Sequence, residues 1–335
     1  MKKSFALLLA ACVALGSAGC GAADRAGTAN DEPLAGGAQP PGAAQSGTNG
    51  GKGAAGGEEP AKKTVYPLTV RDASGKEVRF DKPPERIASL SPSETEVLFA
   101  LGLGDKIVGV DDYSNYPEEA KNKPKIGNLQ GNAEAIIAAN PDVVFAGLSL
   151  NKQSVDKLTE LNIKLFTVEP KSLDQIMERI LLYGKITDRQ AQAEKLVADM
   201  RAEIKAVADA VKDVKPEEKK KVYIEFSPGW TVGSGEYMSE LIDVAGGINV
   251  AADLTGWKRI SEEKIIEQNP DIIFYSAEVP GLEKTIRDRS GWSQIAAIKN
   301  NRVVPFNPDL ISRPGPRVTE GLREMARAIY PDRVK

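Results

Sequence analysis

The sequence predicts an α/β fold of two similar lobes, each a central, mostly parallel sheet flanked by helices, the two joined by one long helix. Three observations predict it. The motif that ends a short helical stretch and opens an apolar strand occurs twice: Asn140-Pro141-Asp142-Val143 runs into Val144-Phe145-Ala146, and Asn269-Pro270-Asp271-Ile272 runs into Ile273-Phe274-Tyr275. Six residues before each Asn stands a glutamate, Glu134 and Glu263, preceded closely by a polar helix-start residue, Asn132 and Ser261. Finally, the strand-like run from Arg86 into Ser91-Pro92 is answered by the run from Lys221 into Ser227-Pro228. This is the pattern of a divergent duplication, and two related α/β lobes enclose a cleft, the usual place for a small-molecule site.

Residues 1–19 read as a lipoprotein signal peptide: Lys2 and Lys3, an apolar run from Phe5 to Leu15, then small residues up to Cys20. The apolar run is too short to span a bilayer. Ser17-Ala18-Gly19-Cys20 resembles a lipoprotein processing box, whose cysteine becomes the lipidated first residue, although Ser17 stands where such boxes carry an aliphatic residue. Under the alternative, an ordinary cut near Ala18, Cys20 is an unpaired exported thiol without purpose. Cys12 leaves with the signal, so no disulfide is expected and stability must come from the core. After Cys20, residues up to 63 are nearly all Gly, Ala, Pro, Ser, Gln, Asn and charged types, too poor in apolar surface to fold, and read as a disordered tether. Such a coil holds a domain within some tens of ångströms of a membrane.

Residues 64–170 are expected to form the N-terminal lobe, 171–214 the connecting helix and 215–335 the C-terminal lobe. Leu68 to Asp72 and Lys76 to Phe80 alternate apolar and polar residues around Ser74-Gly75, a β-hairpin signal. Strands are expected at Ile87–Leu90, Ile107–Val110, Val143–Ala146 and Leu165–Val168, with helical patterns between them, which argues for parallel pairing. Ser91-Pro92-Ser93-Glu94 reads as a capping box with proline at the first helical position, opening a helix that stops at Gly102. From Leu173 to about Lys212 the chain reads as helix, interrupted near Ile186-Thr187-Asp188, with Ala191, Leu196, Met200, Ile204, Val207 and Val211 at helical spacing. Val222–Phe226, Ile272–Tyr275 and Val303–Pro305 supply the second sheet.

Composition excludes whole classes of chemistry. Lys and Arg total 44 against 47 Asp and Glu, interspersed, which gives no electrostatic footprint for nucleic acid. Histidine is absent, which removes Ser-His-Asp and Cys-His nucleophilic arrangements and His-based metal sites. No phosphate-cradling loop appears, since Gly233-Ser-Gly235 and Gly246-Gly247 are too sparse. The adjacent pairs Glu118-Glu119 and Glu262-Glu263 are the usual look of a solvated helix face. An enzyme is therefore the weaker reading, and no protein-held metal or resident cofactor is expected.

In open α/β sheets ligands bind beyond the carboxyl ends of the strands. In the first half those ends lead into Ser91–Ser93, Tyr113–Tyr116 and Asn128–Gly131; in the second, into Ser227–Trp230, Leu254–Trp257 and Asp309–Arg313. Tyr113, Trp230 and Trp257 lie among Pro, Gly and polar residues, where large flat side chains suit a large flat ligand, with packing an equal rival for each. Arg313 and Arg317 flank Pro314-Gly315-Pro316, a rigid segment able to aim a guanidinium at an acidic or amide-rich ligand, with an ordinary ion pair an equal rival for Arg317. Glu134 and Glu263 sit in first helical turns, where the helix dipole favours a carboxylate. Their repetition at one offset adds a second reading, a pair of acidic knobs for basic sockets on a two-fold partner.

The order of Ser-Leu-Ser-Pro-Ser-Glu-Thr-Glu-Val-Leu-Phe-Ala-Leu-Gly from Ser89, Val-Gly-Val-Asp-Asp-Tyr-Ser-Asn-Tyr-Pro from Val108, Asn-Leu-Gln-Gly-Asn-Ala-Glu from Asn128, and Asn-Pro-Asp-Val-Val-Phe-Ala from Asn140 resembles the helical-backbone (class III) ABC-importer substrate-binding proteins for iron-siderophores, haem and vitamin B12. The resemblance spans residues 64–335 and includes Trp257, Ser261-Glu-Glu263 and Pro316-Arg317. Tyr113-Ser-Asn-Tyr-Pro117 is most similar to the vitamin B12 binders, which implies that Tyr113 touches a corrinoid and that Trp230, Trp257 and Asp309 surround it. It also implies that Glu134 and Glu263 meet arginines of a permease, which works with its ATPase. Asn128 and Leu310 depart from the cobalamin pattern by replacing aromatics, which leaves a weaker corrinoid site, another corrinoid or a siderophore open; haem is least favoured without histidine. The implied protein is a monomeric, lipid-anchored extracytoplasmic carrier of a metal chelate that brings its own cobalt or iron, closing little on binding because the connecting helix is stiff. A surface scaffold and a metal-chelate enzyme are the rivals from other classes.

Overall fold

The structure, a computed structural model, describes residues 63–147 and 152–335. The signal peptide, Cys20 and the tether lie outside the described residues. Among the described residues no helix is long and apolar enough to cross a membrane.

The chain opens with the expected hairpin, β1 (Leu68–Arg71) against β2 (Glu77–Phe80), with Leu68 opposite Phe80. The first lobe follows as β3 (Ile87–Ser89), α1 (Pro92–Ala100), β4 (Ile107–Val110), α2 (Ala133–Ala139), β5 (Val143–Gly147), α3 (Lys152–Glu160) and β6 (Leu165–Val168). Its four strands are parallel, in the order β4-β3-β5-β6. Two helices, α4 (Leu173–Thr187) and α5 (Gln190–Val211), lead to the second lobe. That lobe runs β7 (Lys221–Glu225), β8 (Trp230–Val232), α6 (Tyr237–Val244), β9 (Ile248–Asn249), β10 (Trp257–Arg259), α7 (Glu262–Gln268), β11 (Ile272–Ser276), α8 (Leu282–Asp288), α9 (Ala296–Lys299), β12 (Val303–Phe306), α10 (Pro308–Ile311) and α11 (Val318–Ile329). Its main sheet is also parallel, β12-β11-β7-β9, with β8 and β10 forming a separate antiparallel ribbon.

Counting only the strands of each main sheet, both read 2-1-3-4, so the duplication seen in the motifs extends to topology. The repeated motif does the same mechanical work twice. Asn140 and Asn269 end α2 and α7 in the left-handed region, at φ 45° and 49°, where asparagine is tolerated and the following proline stops the helix. Asp142 and Asp271 then pin the start of the neighbouring strand: Asp142 Oδ2 accepts from Arg86 N at 2.9 Å and Asp271 Oδ2 from Lys221 N at 2.8 Å. Each basic residue returns the favour at the helix end, Arg86 Nε donating to Asn140 O and Lys221 Nζ to Gln268 O.

Where one connecting helix was expected, the chain makes two. The break falls at Asp188, φ 56°, inside the stretch the periodicity marked as interrupted. α4 and α5 pack closely where Gly184 meets α5; a Cβ there would lie 2.6 Å from that of Ala193. α4 carries Tyr183 into the first lobe, its ring 4.3 Å from that of Phe145, while α5 packs on α11 of the second. One apolar core therefore runs through both lobes, from Phe145 and Phe166 past Ile180 and Val207 to Leu241 and Leu322.

The capping box is corrected as well. Ser91 is the N-cap of α1, but its side chain makes no cap hydrogen bond, and Glu94 turns inward to a buried ion pair. The sequence reading also missed the β8–β10 ribbon, whose three-residue strands are too short to show a period.

Candidate functional site

In a sheet ordered 2-1-3-4 the chain departs in opposite directions from strands 1 and 3, which opens a crevice at their carboxyl ends. Here those ends are the Ser91 turn after β3 and Gly147 at the end of β5, and they line a cavity of about 310 Å³ between the lobes. The second lobe contributes Glu236–Met238, Trp257 and Ser312–Pro314, and α4 contributes Arg179. A larger cavity, about 530 Å³, lies among the flanks of α1, α5 and α11. Strand topology, not volume, identifies the first as the cleft.

Charged pairs bridge the lobes around the cleft. Arg179 Nη1 donates to Glu94 Oε1 at 2.6 Å, Tyr183 Oη donates to Glu94 Oε2, and Arg179 Nη2 reaches the Pro314 carbonyl of the second lobe. Lys171 lies 3.0 Å from both Glu169 of the first lobe and Glu236 of the second. Glu240 on α6 accepts from Leu173 N at 2.8 Å, adding a second-lobe carboxylate to the Ser172 cap of α4. Glu96 receives both Arg313, at 2.9 Å, and Arg317, through two bonds of 2.9 and 2.6 Å. Burial alone would lower the Arg317 pKa, but the bonds to Glu96 outweigh it and hold it above its ordinary value.

Four aromatic residues stay exposed near the strand ends: Tyr113, Tyr116, Trp230 and Trp257, between 41% and 57% accessible. Each is held by local structure. Asp111 Oδ1 accepts from Tyr113 N at 2.8 Å, and Asp111 Oδ2 from Ser114 Oγ at 2.5 Å. Burial pushes the Asp111 carboxyl above its usual range despite those bonds and the nearby Lys125. Tyr116 lies under the Arg317 guanidinium, 4.0 Å from it, a cation–π contact across the lobes. The turn before Trp230 is fixed by Glu225, which accepts from Gly229 N at 2.8 Å and is itself neutralised by Arg289. Trp257 follows a close chain crossing, where a Cβ on Gly233 would come within 2.2 Å of Leu254 O, and its ring leans on Phe226 at 4.6 Å. In the ribbon Arg259 stands opposite Trp230 and Trp257 opposite Val232, so alternation puts both tryptophans on one face.

Of the six predicted ligand contacts, Trp257 and Arg313 line the cleft cavity, while Tyr113, Asn128, Trp230 and Asp309 stand outside its walls. Arg313 is already engaged by Glu96, by Asp309 at 2.5 Å and by Asn115 at 2.7 Å. Asp309 also receives Asn115 Nδ2 at 3.1 Å, so these residues join the Tyr113–Tyr116 loop of one lobe to α10 of the other. Asn128 Oδ1 accepts from Gln130 N, which ties it to its own turn. Leu310 is buried against Gly321 of α11 and does not line the cleft cavity. The Ser91-Pro92 turn lines the cavity, and Ser227-Pro228 does not. Glu134 and Glu263 are exposed in the first turns of α2 and α7. Sequence reasoning missed Glu94, Glu96, Arg179, Glu236 and Tyr237; the available signal was the pair of glutamates on the apolar helix α1.

The profile of the periplasmic binding protein family matches residues 87–310. An uncharacterized ABC transporter substrate-binding lipoprotein of Bacillus subtilis is 38% identical over 281 residues, 82% of this chain and 89% of that protein. A cobalamin-binding protein of Halobacterium salinarum is 30% identical over 276 residues, 79% of this chain and 74% of that protein. Among solved structures, the periplasmic vitamin B12 binding protein of Vibrio cholerae superposes with a TM-score of 0.65 at 26% identity, covering 74% of this chain and 97% of that one.

Proposed function

This chain belongs to the periplasmic binding protein family, and from that membership we propose that it is the extracytoplasmic substrate-binding component of an ABC importer, capturing a large metal chelate, a corrinoid first of all, between its lobes. The observation that carries the ligand class is Trp257, an exposed ring in the cleft wall, with the exposed Trp230 on the same face of the β8–β10 ribbon. Apolar rings left in water near a cleft favour a broad, flat ligand that covers them. The cobalamin and vitamin B12 names borne by relatives support a corrinoid over other chelates. The chelate brings its own cobalt or iron; the protein contributes stacking surface and polar contacts, and performs no covalent step. Cys20 is the proposed lipid anchor, and an ABC permease with its ATPase is the proposed partner of the monomeric carrier.

Intrinsic fluorescence tests this reading. Of the three tryptophans, Trp292 is buried in the second lobe while Trp230 and Trp257 are exposed, and the difference in quenching between wild type and Trp257→Ala isolates the ring in the cleft wall. Titration with cyanocobalamin is expected to quench saturably, with affinity reduced several-fold in Trp257→Ala. A response only to a ferric hydroxamate or catecholate would keep the transport role and change the ligand. Silence to all three would favour the scaffold.

A further inference from the structure

Three cations line the ligand cleft, Lys171, Arg179 and Arg313. Each is already held by a carboxylate: Lys171 by Glu169 and Glu236, Arg179 by Glu94, and Arg313 by Glu96 and Asp309. An anionic group on the ligand would have to break one of these pairs to find a partner there, leaving a carboxylate unpaired. Arg259 is different. Among the described residues its guanidinium makes no ion pair, and its one hydrogen bond is a long one, 3.4 Å, to Pro228 O.

Register, exposure and strand topology place this free cation where a ligand arrives. Arg259 stands opposite Trp230 in the β8–β10 ribbon and two residues after Trp257, so alternation puts it on the face that carries both tryptophans, while Lys258 falls on the other face. That face begins in the cleft, since Trp257 lines the cavity, and it is open to water: Trp230 and Trp257 are 42% and 41% accessible and Arg259 is exposed. The guanidinium also folds over the turn that follows β7, where a Cβ on Gly229 would lie 3.7 Å from Arg259 Nε. β7 is the first strand of the second main sheet, so this turn is the counterpart of the Ser91 turn that lines the cleft, at the carboxyl end where an open α/β sheet meets its ligand. A corrinoid is larger than the cavity of about 310 Å³ and must extend beyond it; the tryptophan face is aromatic surface that continues from its wall.

We propose that Arg259 pairs with an anionic oxygen group of the ligand, the phosphodiester in a corrinoid, while the flat part of the ligand lies against the tryptophans. The inference rests on the proposed function and adds to it the charge and position of one ligand group. A guanidinium grips phosphate oxygens through two parallel bonds, where stacking alone tolerates any flat surface. The residue thereby separates corrinoids that carry the nucleotide loop from those that lack it.

The test is Arg259→Gln in the purified protein, with Lys258→Gln as its control, titrated with cyanocobalamin and with dicyanocobinamide, which keeps the corrin ring and has no phosphodiester. Each variant loses one exposed positive charge, on opposite faces of the ribbon, so an effect of net charge alone is shared by both. Arg259→Gln is expected to weaken cyanocobalamin binding by about tenfold and to leave dicyanocobinamide binding unchanged, with Lys258→Gln binding both as the wild type does. Added salt is expected to weaken cyanocobalamin binding more steeply in the wild type than in Arg259→Gln. Unchanged cyanocobalamin affinity in Arg259→Gln would overturn the inference alone, as would a loss that dicyanocobinamide or Lys258→Gln shares. If the wild type binds neither corrinoid, the corrinoid reading fails and the inference falls with it.

Discussion

Arg179 donates to Glu94 across 2.6 Å with side chains only 4% and 1% exposed. The same guanidinium reaches Pro314, so one side chain on α4 ties α1 of the first lobe to the loop before α11 of the second. Removing one partner strands a buried charge, which costs about 3–5 kcal/mol. Glu94→Ala and Arg179→Ala are each expected to lose that much in chemical denaturation, while the double variant loses less than the sum. Additive losses would mean that the two groups do not stabilise one another.

The shared core and these bridges make the hinge stiff. Apolar packing continues from Phe145 through α4 and α5 to Leu322, so opening the lobes would break core contacts and not only bend a linker. Small-angle scattering of apo and cyanocobalamin-loaded protein is expected to show a change in radius of gyration under about 1 Å, as in preorganised complexes. A change of several ångströms would contradict a continuous core.

Asp72 supplies a pH signature. Its carboxylate accepts from Ser74 N and Oγ, Lys76 N, and Thr167 N and Oγ, which fastens the β1–β2 hairpin to β6. Burial alone would raise its pKa, but those donors outweigh it and hold the pKa below 3.8. A depressed carboxylate pKa gives stability that is present above the unfolded value and lost as pH falls through the folded one. Asp72→Asn is therefore expected to cost about 1–3 kcal/mol at neutral pH, with the gap to wild type narrowing as the pH drops below 3.8.

The duplication makes a paired prediction. Asn140 and Asn269 hold φ values of 45° and 49°, a region that costs a residue with a Cβ about 1–2 kcal/mol unless it is Asn or Asp. Replacing Asn140 by alanine is expected to destabilise by about 1 kcal/mol and by glycine to leave stability nearly unchanged; at Asn269 either change also removes the bond that its Oδ1 accepts from Ala296 N at 2.8 Å, and is expected to cost about 1 kcal/mol more. A glycine at Asn140 that costs as much as alanine would show that the left-handed conformation is not what the asparagine contributes there.

The duplicated motif was legible because it is built from local rules. Helix stop, proline and strand-capping aspartate follow one another in sequence, as do Asn132 and Ser261 ahead of their glutamates. The interruption before α5 was legible for the same reason, from Asp188 after an apolar period. The inner face of the cleft was not. Glu94 looks like a helix-cap residue in sequence, and only packing against α4, 85 positions away, turns it into the partner of Arg179. Arg313 looks free in its proline-rich segment, yet Glu96, 217 positions away, receives it.

Glu134 and Glu263 make the last prediction. Both are exposed, both sit just inside helices capped by Asn132 and Ser261, and both precede the repeated helix stop by six residues. If their role is only to favour the helix dipole, alanine at each costs at most about 1 kcal/mol of stability and nothing else. If they dock on basic sockets of a permease, Glu134→Ala/Glu263→Ala is expected to bind cyanocobalamin as the wild type does, yet to lose uptake in cells that carry the permease by about tenfold or more. Charge reversal at both sites should deepen that loss, and a compensating acidic change in the permease should restore part of it. Normal uptake by the double alanine variant would return both residues to helix capping.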